Sequence, residues 1–268
     1  MPHGWVDTHT HLQDRRVLDA AAVWQAAQAS GVTTTLLAGV DSADWQRQEA
    51  LAHLPGVYFS AGLHPQRVAE LTESEVEAEL LALRCWLAPR RRPGPWVALG
   101  EIGMDGLGDR RGSFALQRHA FAQQLTVAQE LNLPVILHIL RAHEDALAVL
   151  RQVGLPKAGG VVHSYSGSKE LVPRYLDLGL YLSFGGAITW APNNRAAEAL
   201  RACPMQRLLL ETDTPDQTPL GQRPLPNEPR FLPEIARTAA QLLGVSEAEL
   251  RAQTSASAEQ LFGFAGAP

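Results

Sequence analysis

Short apolar runs rich in Val, Ile and Leu alternate along the chain with longer stretches in which apolar residues recur at helical spacing. The short runs predict strands, and the longer stretches predict helices. The eight predicted strands are Trp5–Thr8, Thr33–Ala38, Val57–Gly62, Trp96–Gly100, Pro134–His138, Gly160–His163, Leu180–Phe184 and Arg207–Glu211. The helices predicted between them are Val17–Ser30, Glu73–Leu87, Leu116–Leu131, Ala142–Val153, Lys169–Leu178 and Asn193–Ala202.

Regular alternation of strands and helices is typical of α/β proteins with a parallel sheet, and eight such units in 268 residues predict a (β/α)₈ TIM barrel. Pro229–Leu243 is the predicted eighth helix, and Ser246–Phe262 is a short helical C-terminal tail. We expect residues 1–268 to form one domain. The Pro- and Gly-rich stretch Pro215–Pro229 follows a strand, where barrels place long loops, so it is a candidate active-site loop.

Ionisable residues stand where most of these strands end. They are His9 and His11 after strand one, His64 after strand three, Glu101 after strand four, His138 after strand five, His163 after strand six, and Glu211 with Asp213 after strand eight. Barrel enzymes build their active sites at the carboxyl ends of the strands. These positions are therefore the candidate site.

The residue types indicate metal chemistry. Alternate residues of an extended segment point the same way, so the His9-x-His11 pair delivers two imidazoles to one side. Imidazole with carboxylate suits Zn²⁺, Mn²⁺ or a related ion, and Glu101 can bridge two ions that generate an attacking hydroxide from water. Asp213 can bind a metal and accept the proton of that water. Taken singly, each residue has an ordinary alternative as a core histidine or a helix cap.

Composition narrows the possibilities. The formal net charge is −5, so a nucleic-acid contact would need a local basic patch. Cys85 and Cys203 form no C-x-x-C motif, and we expect both to be buried free thiols. The chain has neither a signal peptide pattern nor an apolar run of about 20 residues, which predicts a cytoplasmic protein. No required protein partner is evident.

The ordered segments VDTHTHL, AGLHP, ALGEIGMD, NLPVILH, VVHSYSGS, LLLETDTP and PNEP resemble the TatD family of metal-dependent deoxyribonucleases and hydrolases, within the amidohydrolase-like barrels. The resemblance covers nearly the whole chain. It implies two metal ions, Mg²⁺, Mn²⁺ or Zn²⁺, one held by His9, His11, Glu101 and Asp213 and the other by Glu101, His138 and His163. It also implies that His64 lies near the substrate phosphate. Related barrels bridge their metals with a lysine, but Lys157 and Lys169 are the only lysines and neither ends a strand.

Two positions depart from the pattern that this family usually shows. Leu140 stands where the family often has an arginine, and Arg141 is displaced by one position. Gly106 stands where a tyrosine is common. An arginine can bind phosphate through two hydrogen bonds, and an aromatic ring can stack on a base. Both departures weaken the expectation of a nucleic-acid substrate.

Three functions follow as hypotheses. The first is hydrolysis of DNA phosphodiesters, as a 3′-to-5′ exonuclease or a nuclease of damaged strands, with Asp213 as the proton acceptor. The second is hydrolysis of a small ester, lactone, amide or aminoacyl ester by the same two-metal site. The third is a barrel that holds a structural ion, which would leave no open coordination position for water.

Overall fold

A computed structural model describes residues 4–90, 94–190 and 194–264. Its eight strands are β1 (Trp5–Thr10), β2 (Val32–Leu37), β3 (Val57–Ala61), β4 (Trp96–Asp105), β5 (Val135–Leu140), β6 (Gly160–Val162), β7 (Tyr181–Phe184) and β8 (Leu208–Leu210). They form one parallel sheet in chain order. Backbone hydrogen bonds from Asp213 to His9 and from His11 to Thr214 join its first and last edges. The predicted (β/α)₈ barrel is confirmed.

Ten helices accompany the strands in the described residues. They are α1 (Ala20–Ala29), α2 (Ser42–Glu49), α3 (Pro65–Val68), α4 (Glu73–Leu87), α5 (Phe114–Leu131), α6 (His143–Val153), α7 (Val172–Leu176), α8 (Asn194–Ala202), α9 (Leu232–Leu243) and α10 (Glu247–Phe262). The pattern predicted all of these except α2 and α3. The predicted helical tail is present as α10.

Residues of each strand alternate between two apolar clusters, as the two-residue period of a strand requires. In β5, Val135 and Leu137 pack outward against the helices, whereas Ile136 faces the barrel interior. Every strand contributes to the interior cluster, and Leu261 and Phe262 of α10 complete it. The Ser255 hydroxyl of α10 donates to the carbonyl of Gly4, just before β1. The tail therefore closes the end of the barrel where the strands begin.

Some expectations need correction. The fourth strand does not end at Gly100 but continues to Asp105, so Glu101 lies within it. Cys203 is buried as expected, whereas Cys85 is exposed on α4, and both thiols are free. Among the described residues, no helix is long and apolar enough to cross a membrane. The cytoplasmic location and the single domain over residues 1–268 stay predictions.

Candidate metal centre

The first strand brings two imidazoles to the open end of the barrel. The Nε2 atoms of His9 and His11 lie 3.2 Å apart. The register of β1 against β2 shifts between Asp7 and Thr10, which turns this segment out of the regular pleat. Asp7 is fully buried and accepts hydrogen bonds from the Thr212 backbone and hydroxyl at 2.9 and 2.6 Å. It thereby ties the end of β1 to the segment after β8.

The side chain of Glu101 lies between two groups of histidines. Its Oε2 atom is 3.3 Å from His9 Nε2 and 3.6 Å from His11 Nε2. Its Oε1 atom is 2.8 Å from His138 Nδ1 and 2.7 Å from His163 Nε2. One carboxylate thus contacts both groups, each through a different oxygen.

A close approach between β4 and β5 sets the position of Glu101. The register between the two strands shifts between Leu99 and Ile102. Gly103 has a φ of +140°, and a Cβ atom there would lie 2.1 Å from the His138 carbonyl oxygen. Only glycine fits so close to the neighbouring backbone. The strand therefore continues past Glu101 instead of ending there, and the carboxylate points into the cluster from within β4.

Asp213 completes the group around His9 and His11. Its backbone is in the left-handed region, with a φ of +59°, and its amide donates to the His9 carbonyl at 2.9 Å. Its Oδ1 atom lies 3.6 Å from His9 Nε2 and 3.5 Å from His11 Nε2. Its Oδ2 atom accepts a hydrogen bond from Gln217, a residue of the predicted active-site loop.

Two carboxylates that do not belong to the predicted ligand set lie behind the second group. Asp105 Oδ2 is 3.3 Å from His138 Nε2, and Glu211 Oε1 is 3.4 Å from His163 Nδ1. His138 Nε2 is within hydrogen-bonding distance of Asp105, and a carboxylate that accepts from the far nitrogen of a ligand histidine orients its ring. Glu211 and His163 form an ion pair without such a hydrogen bond. Our sequence interpretation noted Glu211 but missed Asp105, because the predicted fourth strand ended at Gly100.

Carboxylates and imidazoles in the cluster stabilise each other's charged forms. Burial raises the pKa of Glu101, but the imidazoles of His163, His64 and His9 outweigh it and hold this pKa well below its ordinary value. Burial also raises the pKa of Asp213, but contacts with the histidines lower it to about 2. Both carboxylates are therefore ionised at neutral pH. Burial lowers the pKa of His11, but contact with Asp213 and the charge of Glu101 raise it to about 9.

The donor set fits divalent metal ions. Atoms bound to one ion at about 2.0–2.2 Å lie roughly 3–3.5 Å from each other. The nitrogens of His9 and His11 are 3.2 Å apart, and so are those of His138 and His163. Two neutral imidazoles facing through their lone pairs would repel each other, so a shared cation or proton must lie between them. Imidazole nitrogens with carboxylate oxygens form a donor set that Zn²⁺ and Mn²⁺ accept.

Comparison with known proteins gives the family. A family model described as TatD related DNase matches residues 6–263. The chain belongs to the TatD family. It is therefore a metal-dependent hydrolase, as the resemblance implied.

Relatives within the TatD family carry two kinds of name. The chain is 31% identical over 258 residues to the metal-dependent hydrolase YabD of Bacillus subtilis, covering 96% of this chain and 98% of that one. It is 36% identical over 257 residues to a 3′-5′ ssDNA/RNA exonuclease TatD of Pantoea ananatis, covering 92% and 94%. The crystal structure of YjjV, a TatD homologue from Escherichia coli K12, matches with a TM-score of 0.89 and 31% identity, covering 98% of this chain and 99% of that one.

His64 lies closer to the cluster than a residue that only contacts substrate would need to be. Its Nε2 atom is 2.9 Å from Glu101 Oε1. Its Nδ1 atom accepts from the Gln66 amide at 3.1 Å, so His64 also caps α3. This acceptor role places the ring proton on Nε2. His64 therefore caps a turn and also contacts the cluster.

Two cavities meet at the cluster of this TatD-family chain. One, of about 430 Å³, is lined mainly by charged side chains, and we call it the charged cleft. Its arginines are Arg15, Arg16, Arg47 and Arg67, and its carboxylates are Asp14, Asp44, Glu70, Glu101, Asp213 and Asp216. The other, of about 610 Å³, is lined mainly by apolar and aromatic side chains, and we call it the aromatic cavity. His138, His163, Asp213 and Asp216 line both.

The two departures from the family pattern have different structural settings. Leu140 lines the aromatic cavity, whereas Arg141 lines neither cavity and its carbonyl accepts from Arg111. Gly106 is buried in a turn, and a Cβ atom there would lie 2.8 Å from the Arg141 carbonyl oxygen. This backbone leaves no room for an aromatic ring at position 106. Aromatic surface is supplied instead by Trp190, which our sequence interpretation overlooked.

Proposed function

We propose that this chain hydrolyses phosphodiester bonds of single-stranded DNA from the 3′ end, with two divalent ions. The placement of Glu101 carries the proposal. A buried carboxylate that gives one oxygen to each of two imidazole groups has the geometry of a ligand shared by two ions. Relatives named 3′-5′ ssDNA/RNA exonuclease match over more than nine-tenths of the chain and indicate the substrate class.

The distances are compatible with the ligand sets that the family resemblance implied. We assign His9, His11, Glu101 and Asp213 to one ion, and Glu101, His138 and His163 to the other. Two ions held by these residues would supply a water of lowered pKa and would stabilise negative charge on the phosphate oxygens.

Asp213 and His64 have separate tasks in this proposal. Asp213 is ionised and lies beside His9 and His11, so its carboxylate is placed to accept the proton of the attacking water. Gln217 donates to its Oδ2 atom and holds the carboxylate in place. The Nε2 proton of His64 faces the cluster and can be donated to a phosphate oxygen.

Charge makes substrate binding depend on the ions. The four arginines and six carboxylates of the charged cleft give it a formal charge of −2, and its histidines add nothing to this when they are neutral metal ligands. Two divalent ions would add four positive charges and reverse that sign. We therefore expect the ions to strengthen the binding of DNA, even though the protein as a whole is acidic. Arg15 is exposed and has no carboxylate partner among the described residues, so it is available to a phosphate.

The test uses single-stranded oligonucleotides labelled at either end, with Mg²⁺ or Mn²⁺. The wild type should release mononucleotides from the 3′ end, and Asp213→Ala should abolish this release. Asp177→Asn is the matched control, because Asp177 is an exposed carboxylate at the end of α7, before β7. DNA left intact with each metal, or degraded at the same rate by Asp213→Ala, would contradict the proposal.

One observation favours a second candidate, a hydrolase of small esters, lactones, amides or aminoacyl esters. Leu140, Phe184 and Ile188 give the aromatic cavity apolar walls, which would take an apolar acyl group. A panel of such substrates assayed with Zn²⁺ separates the candidates. Failure on every ester together with turnover of DNA would exclude this one.

A further inference from the structure

The aromatic cavity differs in chemistry from the charged cleft on the other side of the cluster. Its walls include Leu140, Tyr165, Phe184, Ile188 and Trp190, and the arginine and carboxylates that line it among the described residues are Arg195, Asp213 and Asp216. Its volume of about 610 Å³ lies in the range of small-molecule sites, about 300–1,000 Å³. The cluster thus separates a site for charged groups from a site for flat apolar ones.

Single-stranded DNA has the same division of chemistry. Its backbone is a row of phosphates, and its bases are flat and largely apolar on their faces. Proteins that bind single strands pair cationic grooves with aromatic stacking surfaces. A phosphodiester held at the cluster would have backbone on one side and, at a 3′ end, a single nucleoside on the other.

We propose that the aromatic cavity binds the base of the 3′-terminal nucleotide, with Trp190 as the stacking surface. The inference rests on the proposed exonuclease function and gives it a subsite. Contacts within the protein fix the position of the Trp190 indole without a substrate. Its Nε1 atom donates to the Thr218 carbonyl at 2.9 Å, and the guanidinium of Arg223 lies 4.4 Å from the ring centre.

Two polar side chains of the cavity already donate hydrogen bonds within the protein. Gln217 donates to Ser164 and Asp213, and the Tyr165 hydroxyl donates to the Ser168 carbonyl. They are therefore poorly placed to distinguish the edges of different bases. Stacking on a ring tolerates every base, because each has an aromatic face. We expect the subsite to require a base but to show little preference among the four.

The experiment compares two oligonucleotides, one with an ordinary 3′-terminal nucleotide and one with an abasic tetrahydrofuran residue there. The measured quantity is kcat/KM for release of the terminal residue. The wild type should prefer the terminal base roughly ten- to hundred-fold, as one base–aromatic stack provides. Trp190→Ala should remove most of that preference by slowing only the base-bearing substrate, and Trp190→Phe should retain most of it.

Trp86→Ala is the matched control. Trp86 is also a half-buried tryptophan with an arginine over its ring, 3.7 Å from Arg90, but it lies on α4 and lines neither cavity. It should keep the wild-type preference. Thermal unfolding shows whether Trp190→Ala is folded. If it is not, the comparison of the two oligonucleotides with the wild type alone tests the subsite.

The results distinguish failure of the subsite proposal from failure of the exonuclease proposal. A wild type that releases both ends equally fast, or a Trp190→Ala variant that slows both equally, overturns the subsite and leaves the exonuclease proposal standing. A wild type that cleaves neither overturns both. If Trp190→Ala impairs hydrolysis of apolar esters but not of DNA, the cavity binds an acyl group and the subsite proposal is wrong.

Discussion

The two ends of the barrel are built on the same strands and have opposite chemistry. Where the strands begin, residues such as Val6 and Ile136 pack against Phe262 of the tail in an interior without charge. Where they end, the same two strands carry His9 and His138 in a buried cluster of imidazoles and carboxylates. Only two residues separate Val6 from His9, and only one separates Ile136 from His138.

The two ends of the barrel therefore contribute differently to stability and to activity. Apolar burial stabilises a structure without needing exact partners, whereas buried ionisable groups cost free energy unless each finds an opposite charge. We therefore expect substitutions at the beginning of the strands to change stability and those at the end to change activity.

The largest effect is expected for Glu101→Gln. The amide has one oxygen and no charge, so it cannot serve two ions as a carboxylate does. We expect kcat to fall about 10³-fold or more, with fewer than two ions retained per chain. Turnover and metal content of the dialysed protein measure this. Unchanged activity with both ions retained would refute the bridging role, and Asp177→Asn again serves as the control.

Phe262→Ala tests the opposite end. Phe262 is fully buried in the interior cluster, and removing such a ring costs about 3–5 kcal/mol of unfolding free energy. The kcat of the folded protein should stay near that of the wild type. Denaturant unfolding measures the first effect, with Leu18→Ala as control because Leu18 is 97% exposed. A Phe262→Ala variant with normal stability but lost activity would contradict the assignment of stability to this end of the barrel and activity to the other.

Asp105→Ala should have an intermediate effect. Asp105 orients His138 from behind, and loss of such a partner typically lowers metal affinity or activity 10–100-fold. Titration with Mn²⁺ and kinetics at saturating metal separate a loss of affinity from a loss of turnover. Asp109→Asn, an exposed carboxylate in the following loop, should behave as wild type. If Asp105→Ala binds Mn²⁺ normally, the positioning role is wrong.

The smallest effect concerns His143, a histidine near the ends of the strands that lies outside the cluster. Burial and the charge of Arg195 lower its pKa to about 4, so it is neutral in the folded protein and takes up a proton more readily when unfolded. Its contribution is complete above pH 6.5 and is lost as the pH falls towards 4. In metal-free protein, His143→Gln should flatten the fall in stability across that window. An unchanged slope would contradict the pKa shift.

Sequence pattern predicted the barrel because its strands and helices are regular and local. It placed the candidate residues near one another because parallel strands end on the same side. It missed α3, a single turn, although Pro65 at its first position and His64 as its cap were readable signals. The short polar helix α2, which carries few apolar residues, gave a weak helical period.

Contacts between segments far apart in the chain could not be predicted from the local sequence pattern. The predicted fourth strand stops at Gly100, and only the His138 backbone packed against Gly103 shows how β4 continues. The same error hid Asp105. Gln217 lies in the loop that the sequence marked as a candidate, whereas nothing in the local sequence of Trp190 marks it as a cavity residue.

The most direct test of the two-metal centre is a crystal soaked in Mn²⁺ and measured for anomalous scattering. We expect two peaks about 3.5–4 Å apart, one beside His9, His11 and Asp213 and one beside His138 and His163, with the carboxylate of Glu101 between them. A single peak, or two peaks of which one does not contact Glu101, would contradict the two-metal centre.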